Sequence, residues 1–285
     1  MTTNVSVAPL VRIEDLSFRY LDADKSALTG VNLEIKQGEV VILAGQSGCG
    51  KSTLLRSING LIPHMYPGDY QGRILIDGKV VSETSMGELA QKVGLLFQNP
   101  ENQIFMFSVE RDIAFGLENL GLPRPEIRRR VDEAMGVLHI ESLALRAPHE
   151  LSDGQKQRVA LAGIIAMRPK LIILDEPTSL LDPKTASELV SLVHKLNREV
   201  GITFVIVEHR LELLTPIADR IVVMDKGRKV MDGAPAEILT SPESSGFGIA
   251  IPPVFKLYAQ LTSDGVRLGR TPLTPEEMAE ELNAL

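Results

Sequence analysis

Residues 45–52 read Gly45-Gln46-Ser47-Gly48-Cys49-Gly50-Lys51-Ser52 and follow directly on the apolar run Val40-Val41-Ile42-Leu43-Ala44. A buried strand, a glycine-rich loop and a lysine followed by a hydroxyl form the pattern of a phosphate-binding loop that leads into a helix. Glycines let backbone N–H groups crowd around phosphate oxygens, and the helix start directs further N–H groups at the same anion. Lys51 is predicted to reach the β- and γ-phosphates, and the Ser52 hydroxyl to bind Mg²⁺. The alternative, a loop that only turns strand into helix, leaves the lysine and the hydroxyl unexplained.

Composition places the chain among ordinary globular proteins. It has 285 residues, of which 44% are hydrophobic and 24% charged, and its net charge of −7 gives no support for a nucleic-acid surface. The single cysteine excludes an internal disulfide and fits a reducing compartment. Because no apolar run is long enough to span a bilayer and the N-terminus has no signal pattern, we expect a cytosolic protein that reaches a membrane only through a partner.

The pattern of apolar runs predicts an α/β fold. Continuous runs separated by helical patterns are typical of a mostly parallel sheet covered by helices. The predicted strands are Val40–Leu43, Leu171–Leu174, Thr203–Val207 and Ile221–Met224. A helix is predicted over 184–200, with one apolar face formed by Ala186, Leu189, Val193, Leu196 and Val200.

Three further regions lie outside this core. Residues 10–20, 31–35 and 72–77 are predicted to be antiparallel strands near the N-terminus. The stretch 101–148 is mostly helical in pattern and reads as an insertion, with an apolar stripe of Ile127, Val131, Ala134 and Leu138. We therefore predict one domain over 10–235, with a helical subdomain over about 99–168, and a small C-terminal appendage over 236–285 that contains a helix starting at Thr274.

A second chemical motif follows the strand Leu171–Leu174. Its end reads Asp175-Glu176-Pro177, and ligands of open α/β sheets bind at the carboxyl ends of strands. Asp175 is predicted to hold Mg²⁺ through water, and Glu176 to orient or deprotonate a water that attacks the γ-phosphate. A plain strand end that turns at Pro177 is the alternative, and the phosphate loop weighs against it.

A third motif, Leu151-Ser152-Asp153-Gly154-Gln155, begins a helix. Ser152 and Gln155 fit a capping box, and the exposed N–H groups of this helix start offer a second phosphate contact. Simple capping is the favoured interpretation of this segment on its own.

Taken together, the motifs resemble those of the ATP-binding cassette (ABC) ATPases over residues 10–235. The resemblance rests on five ordered pieces, with a D-loop-like stretch at 179–182 in addition. The five are the loop 45–52, Gln98 after the strand-like stretch 93–97, LSDGQ at 151–155, LIILDEP at 171–177, and His209 after the strand 203–207. The resemblance implies an ABC-type P-loop NTPase with a RecA-like core, and a head-to-tail dimer that encloses ATP and Mg²⁺ between two subunits.

It also implies roles for individual residues. Tyr20 would stack on adenine, Glu176 would be the catalytic base, His209 would contact the γ-phosphate, and Gln98 would sense Mg²⁺ and the attacking water. Nucleotide contacts would come from Tyr20, Gly45, Gln46, Ser47, Gly48, Cys49, Gly50, Lys51, Ser52 and Thr53. The resemblance adds Lys51 to the catalytic residues. Mg²⁺ contacts would come from Ser52, Gln98 and Asp175. Ser152, Gly154 and Gln155 would act on the partner's nucleotide, and Asp182 would communicate across the interface.

Each of these residues has a structural alternative. Tyr20 fits a plain sheet aromatic, although stacking is favoured because Phe18 and Tyr20 share one strand face. Gln98 fits a polar strand end, and His209 a histidine at a strand terminus. One position departs from the family pattern, because Asp153 stands where glycine is common in the LSDGQ motif. A carboxylate beside a γ-phosphate is repelled unless it faces away or finds a cation.

Local segments resemble the energy-coupling factor (ECF) group, which includes cobalt and nickel importers. They are Asn59–His64, Gln98–Phe105, Phe115–Asn119, Glu208–Arg210 and Pro272–Glu277. This resemblance implies a vitamin or transition-metal importer, peripheral on the cytoplasmic face of the cell membrane. Its ATPases pair as homo- or heterodimers and drive a membrane scaffold protein that carries a substrate-capturing membrane subunit.

Residues 99–107 follow Gln98 and are predicted to transmit the ATP state to the membrane partner. Gln103 and Ile104 would make the contacts, while Phe105 and Phe107 fit either a partner surface or the core. Two other functions stay open, a soluble ABC ATPase without a transporter and a mainly structural nucleotide-binding subunit with weak hydrolysis.

Overall fold

The structure is a computed structural model that describes residues 8–284. Within these residues the strands, in chain order, are β1 (Val11–Tyr20), β2 (Leu28–Ile35), β3 (Val40–Ala44), β4 (Gly68–Ile76), β5 (Lys79–Val80), β6 (Val93–Leu96), β7 (Leu171–Asp175), β8 (Thr203–Val207), β9 (Arg220–Asp225) and β10 (Arg228–Gly233). The α-helices are α1 (Lys51–Ile58), α2 (Leu61–His64), α3 (Met86–Ala90), α4 (Val109–Asn119), α5 (Arg124–Leu138), α6 (Asp153–Ala166), α7 (Pro183–Lys195), α8 (Leu211–Leu214), α9 (Pro235–Thr240), α10 (Pro253–Ser263) and α11 (Pro275–Asn283). Short 3₁₀ segments span Val81–Glu83, Pro100–Asn102, Glu141–Leu143, Pro148–Glu150 and Ser244–Phe247.

The central sheet has the strand order β10-β9-β3-β8-β7-β6. All neighbours are parallel except β10, which pairs antiparallel with β9 at one edge. The predicted α/β class with a mostly parallel core is therefore confirmed.

Both faces of this sheet are buried, which explains why its strands read as continuous apolar runs. Along β3, Val40 and Ile42 join one hydrophobic cluster, while Val41 and Leu43 join a second cluster on the opposite face. The first cluster contains the apolar sides of α4, α5 and α6, and the second contains α1 and the N-terminal sheet.

The N-terminal sheet is antiparallel, as predicted, with the order β2-β1-β4-β5. Strand β4 begins at Gly68 rather than at the predicted Gly72. Its first residues pair with the end of β1 but are mostly exposed and polar, so no apolar alternation marks them in the sequence.

The helical stretch after β6 also agrees with the prediction. Helices α4 and α5 pack against α6, and Val131, Ala134 and Leu138 of α5 are buried while Ile127 is partly buried against the same cluster.

One helix prediction is wrong at its end. The face predicted for 184–200 is buried at Ala186, Leu189, Val193 and Leu196, but Val200 exposes 65% of its surface. The α-helix is followed by a π-helical turn over Leu196–Val200. Because a π-helix has more residues per turn than an α-helix, Val200 is rotated away from the buried face.

The segment after residue 235 packs on the main core. Phe255 of α10 and Met278 of α11 are 1% and 3% exposed and belong to the first cluster. The predicted helix start at Thr274 is confirmed, because its hydroxyl accepts a hydrogen bond from the Glu277 N–H at 3.2 Å. Among residues 8–284, the helices are each too short or too polar to cross a bilayer.

The strand register brings the chemical motifs to one edge of the sheet. Val207 of β8 aligns with Leu43 of β3 and with Asp175 of β7, and Leu96 of β6 aligns with Leu174. The loops that follow these four parallel strands therefore leave the sheet at a common edge, where ligands of α/β folds bind.

Candidate active site

The loop after β3 has a backbone that only glycine can adopt at two positions. Gly45 and Gly50 have φ angles of 135° and 108°, and a Cβ atom would collide with the Met224 carbonyl at the first and the Ala27 carbonyl at the second. Gly50 is also the N-cap of α1 and provides no side-chain cap. The first intrahelical hydrogen bond of α1 is donated by Leu54 to the Gly50 carbonyl at 2.9 Å, so the N–H groups of the first turn remain available to an anion.

Lys51 places its ammonium inside this loop. The side chain is 7% exposed, and Nζ donates to the Gly45 carbonyl at 2.8 Å and to the Gln46 carbonyl at 2.9 Å. Cys49 is also buried, with Sγ 3.9 Å from the same Nζ. The loop thus combines a buried cation with free backbone donors, which is the chemistry that a chain of phosphates requires.

Ser52 and Asp175 meet next to the loop. Burial and the neighbouring charge of Glu176 raise the pKa of Asp175 above its ordinary value, and the nearby Ser52 hydroxyl opposes this rise. A hydroxyl beside a carboxylate offers the hard oxygen ligands that Mg²⁺ prefers.

Glu176 is contacted from two sides. Gln98 Nε2 donates to Glu176 Oε2 at 2.8 Å, and His209 Nε2 lies 3.2 Å from Glu176 Oε1. Glu176 has a φ of 50°, in the left-handed region that non-glycine residues rarely adopt outside special sites. The structure therefore brings together Gln98, Glu176 and His209, three residues that the sequence put at the ends of different strands.

Tyr20 lies at the side of α1. Its hydroxyl is 3.2 Å from Thr53 Oγ1, and its ring meets the Phe18 ring edge-on with 4.8 Å between centroids. Both rings thus share a strand face, as the sequence indicated. Stacking of Tyr20 on a base stays a prediction.

The LSDGQ segment begins α6 with the predicted capping box. The Ser152 N–H donates to Gln155 Oε1 at 3.0 Å, and the Gln155 N–H donates to Ser152 Oγ at 3.4 Å. Asp153 exposes 62% of its side chain and has Lys156 Nζ 3.8 Å away, so this carboxylate both faces solvent and has a cation. In the hydrogen bonds of residues 8–284, this segment makes none with the phosphate loop of its own chain.

Asp182 caps α7. Its carboxylate accepts from the N–H groups of Lys184 at 3.0 Å and Thr185 at 3.1 Å and from the Thr185 hydroxyl at 2.5 Å, and these bonds lower the pKa of Asp182. Asp182 therefore stabilises the start of α7. Its contact with a partner subunit stays a prediction.

The residues that support the loop after Glu176 were not predicted from the sequence. Gln157 of α6 donates to the Pro177 carbonyl, and the buried Glu208 contacts Thr178. The sequence does mark Glu208 as unusual, because a charged residue stands there at the end of the apolar run of β8. Nothing in the sequence marks Gln157, since glutamine is common in helices.

Comparison with known proteins links this geometry to a protein family. The family model described as ABC transporter matches residues 28–179. The energy-coupling factor transporter ATP-binding protein EcfA1 of Clostridium perfringens is 40% identical over 96% of this chain and 97% of its own. A putative ABC transporter ATP-binding protein of Methanosarcina acetivorans is 44% identical over 91% of this chain, which spans 42% of that longer protein.

Two solved structures share the fold. The structure of CbiO1 from Clostridium perfringens, described as part of the ABC transporter complex CbiONQ, superposes with a TM-score of 0.75 and 38% identity, covering 88% of this chain and 99% of that one. The ATP-binding cassette MJ0796, as a dimer in a post-hydrolysis state bound to ADP and Pi, gives a TM-score of 0.69 and 31% identity, covering 79% and 98% of the two chains.

Proposed function

The chain belongs to the ABC transporter ATPase family, and from this premise we propose that it is the ATP-hydrolysing subunit of an ECF-type importer. In this proposal two ATPase subunits form a head-to-tail dimer on the cytoplasmic face of the membrane. The dimer drives a membrane scaffold and a substrate-capturing subunit that take up a vitamin or a transition-metal ion. The single observation that carries the hydrolytic part is the contact of Glu176 with both Gln98 and His209.

The phosphate loop binds and orients ATP in this proposal. Lys51 exchanges its carbonyl partners for phosphate oxygens, and the free N–H groups of the first turn of α1 hold the same anion. Ser52 and Asp175 hold Mg²⁺, together with Gln98. The ion neutralises negative charge on the phosphate oxygens when it is bound. Tyr20 stacks on the base.

Glu176 is the general base. Its carboxylate is held at one oxygen by Gln98 and at the other by His209, while 23% of its side chain stays exposed, so water has access. The carboxylate takes a proton from a water, and Gln98 orients that water. His209 exposes 54% of its side chain and turns to the γ-phosphate.

The dimer explains the position of the LSDGQ segment. Ser152, Gly154 and Gln155 make no hydrogen bond with their own phosphate loop in the described part of the chain. In a head-to-tail pair these residues face the partner's nucleotide, with Asp182 beside the interface. MJ0796, which shares the fold, is dimeric with ADP and Pi bound, and this supports the pairing of two subunits in the proposal.

We further propose the domain division given by the sequence, with an ATPase domain over 10–235, its helical subdomain over about 99–168, and an appendage over 236–285. The helical subdomain is the part that contacts the membrane partner. Phe105 and Phe107 support this assignment, because they expose 62% and 85% of their surface. The alternative that both belong to the core is wrong.

The expected role of Gln103 and Ile104 changes. Ile104 is 8% exposed, and the Gln103 amide accepts from the Phe97 N–H at 2.8 Å and donates to the Leu95 carbonyl at 2.8 Å. These two residues therefore fasten the segment 99–107 to the end of β6, beside Gln98. A shift of Gln98 on loss of the γ-phosphate then moves the exposed phenylalanines with it.

The two other functions are less well supported. A mainly structural subunit would follow from a damaged LSDGQ motif, but Asp153 points to solvent and has Lys156 nearby. A soluble ABC ATPase without a transporter would lack an explanation for the full-length likeness to EcfA1 and for the exposed Phe105 and Phe107.

The test is purification of the tagged chain from detergent-solubilised membranes of its own cell, followed by ATPase assays of the eluate. We expect co-purifying integral membrane proteins and Mg²⁺-dependent hydrolysis that Glu176→Gln abolishes. Hydrolysis by a chain that captures only soluble proteins would support the non-transport ATPase. Membrane partners without hydrolysis would support the structural subunit.

A further inference from the structure

Glu208 is a buried carboxylate between two loops at the carboxyl edge of the sheet. It directly precedes His209 and exposes 5% of its surface. The roles proposed above for nucleotide binding and hydrolysis do not use it. A charge removed from water is costly unless its oxygens are hydrogen bonded, so the partners of Glu208 indicate what it holds.

The Glu208 carboxylate accepts four hydrogen bonds, two at each oxygen. Oε2 accepts from the Thr178 N–H at 3.1 Å and from the Thr178 hydroxyl at 2.5 Å. Oε1 accepts from the backbone N–H groups of His209 at 2.8 Å and Arg210 at 3.2 Å. One side chain thus joins the loop that follows β7 to the loop that follows β8.

Arg210 closes the same bridge from the other side. Its Nε donates to Thr178 Oγ1 at 3.1 Å, and its terminal nitrogen donates to the Thr178 carbonyl. Thr178 has no exposed surface, so water does not have access to replace a lost partner there.

Glu176 and His209 depend on this bridge to different degrees. The Glu176 backbone is fixed independently, because its N–H donates to the Val207 carbonyl at 2.9 Å and its carbonyl accepts from Ser179 Oγ at 2.9 Å. The His209 N–H is instead bound by Glu208. Loss of the bridge therefore frees His209 more than it frees Glu176.

We propose that Glu208 is a positioning residue for ATP hydrolysis, which fixes His209 relative to Glu176 by tying the His209 backbone to the buried Thr178. This inference rests on the roles proposed for Glu176 and His209. A reacting group displaced by about 1 Å costs on the order of 10²-fold in rate. A shift of His209 relative to Glu176 on loss of the bridge should therefore lower turnover measurably.

The first test is Glu208→Gln in the full chain. The amide keeps the shape but has one acceptor oxygen, and its NH₂ group cannot accept from a backbone N–H. We expect kcat to fall about 10- to 100-fold, with binding of a fluorescent ATP analogue unchanged within about twofold. Asp219→Asn is the matched control, because this carboxylate accepts from the Val40 N–H at 2.8 Å at the opposite edge of the sheet. A kcat of Glu208→Gln within twofold of the parent chain would overturn the proposal.

Thr178 gives a second pair of variants in case Glu208→Gln does not fold. Thr178→Val keeps the volume and removes the hydroxyl, whereas Thr178→Ser keeps the hydroxyl. The proposal requires lower kcat in the valine variant and near-parental kcat in the serine variant. Equal kcat in the two variants would overturn it.

A double-mutant cycle separates positioning from a structural role. Single-turnover hydrolysis of radiolabelled ATP is measured for His209→Ala with and without Glu208→Gln, or with and without Thr178→Val if Glu208→Gln does not fold. Because the bridge acts through His209, the second change should have less than about a twofold effect in the His209→Ala background. If the second change lowers hydrolysis as much in the His209→Ala background as in the parent chain, the bridge has a general structural role and the proposal is overturned. If Glu176→Gln instead hydrolyses ATP at the parental rate, Glu176 is not the general base, and the proposed function fails together with the inference that rests on it.

Discussion

Glu176 and His209 meet across two neighbouring parallel strands, with His209 Nε2 3.2 Å from Glu176 Oε1. A carboxylate only accepts hydrogen bonds, so the ring carries its hydrogen on Nε2 when this contact is a bond. The other oxygen of Glu176 accepts from Gln98, which follows the strand on the other side of β7. Gln98 and His209, which follow the two strands that flank β7, thus converge on the Glu176 carboxylate at the edge where the phosphate loop lies.

The first prediction concerns that carboxylate. Glu176→Gln keeps the shape of the side chain but removes the base, so turnover should fall on the order of 10²- to 10⁴-fold while ATP still binds. The variant should accumulate as an ATP-bound dimer, which size-exclusion chromatography with Mg²⁺ and ATP measures. Glu199→Gln, an exposed change beyond the end of α7, is the control and should hydrolyse at the parental rate. Near-parental turnover by Glu176→Gln would contradict the assignment of the base.

The second prediction concerns the stability cost of Asp175. Burial and the charge of Glu176 raise its pKa, so ionisation of Asp175 opposes folding, and this cost is complete once the pH lies above the raised pKa. Asp175→Asn should therefore raise the melting temperature at neutral pH in EDTA and should weaken Mg²⁺-dependent ATP binding. The gain should shrink as the pH falls toward the ordinary aspartate pKa.

Differential scanning calorimetry at several pH values measures this effect. Asp24→Asn removes the same charge from an exposed loop and should leave the melting temperature nearly unchanged. A melting temperature of Asp175→Asn at or below the parental value would contradict a destabilising carboxylate.

The sequence predicted the core of the fold because each strand there carries its own signal. Leu171–Leu174 is apolar along its length since both faces of the strand are buried, and the acidic pair Asp175-Glu176 follows where the apolar run ends. Strand β4 was predicted too short because its exposed first half, Gly68–Gly72, is held by pairing with β1 rather than by burial. Pairing depends on a distant partner and leaves no local pattern.

The site shows the same division between local and distant causes. The phosphate loop and the Ser152–Gln155 capping box are local in the chain, so their spacing predicts them. The bridge from Glu208 to Thr178 joins residues 30 positions apart and is visible only once β7 and β8 are neighbours. Gln103 was misjudged although its partners are local: the chain turns back after β6, so that Gln103 reaches Leu95 within the strand and Phe97 just after it.

The third prediction concerns the start of α6. Asp153→Gly should leave turnover unchanged or raise it, since it removes a carboxylate beside the partner's γ-phosphate in the proposed dimer. It should also lower the melting temperature slightly, because glycine is a poor helix residue and the Lys156 contact is lost.

Ser152→Ala, in the same segment, should lower turnover by removing both a helix cap and a phosphate contact. Both are measured as steady-state ATPase rates, and loss of turnover in Asp153→Gly would assign Asp153 a positive role.

The fourth prediction locates the surface that couples ATP hydrolysis to transport. Phe105 and Phe107 expose 62% and 85% of their surface, so replacing both with serine should leave the fold intact, although the Phe105 and Phe115 rings meet edge-to-face with 4.8 Å between centroids. In the proposed importer, the double variant should keep the ATPase rate of the isolated chain and should abolish uptake by the reconstituted complex. Val200→Ser is the control, because it removes an exposed apolar side chain from the π-helical turn that follows α7, outside the segment 99–107, and should change neither activity. Retained uptake by the Phe105→Ser, Phe107→Ser variant would locate the coupling surface elsewhere, whereas loss of ATPase activity in the isolated chain would show that the phenylalanines support the fold.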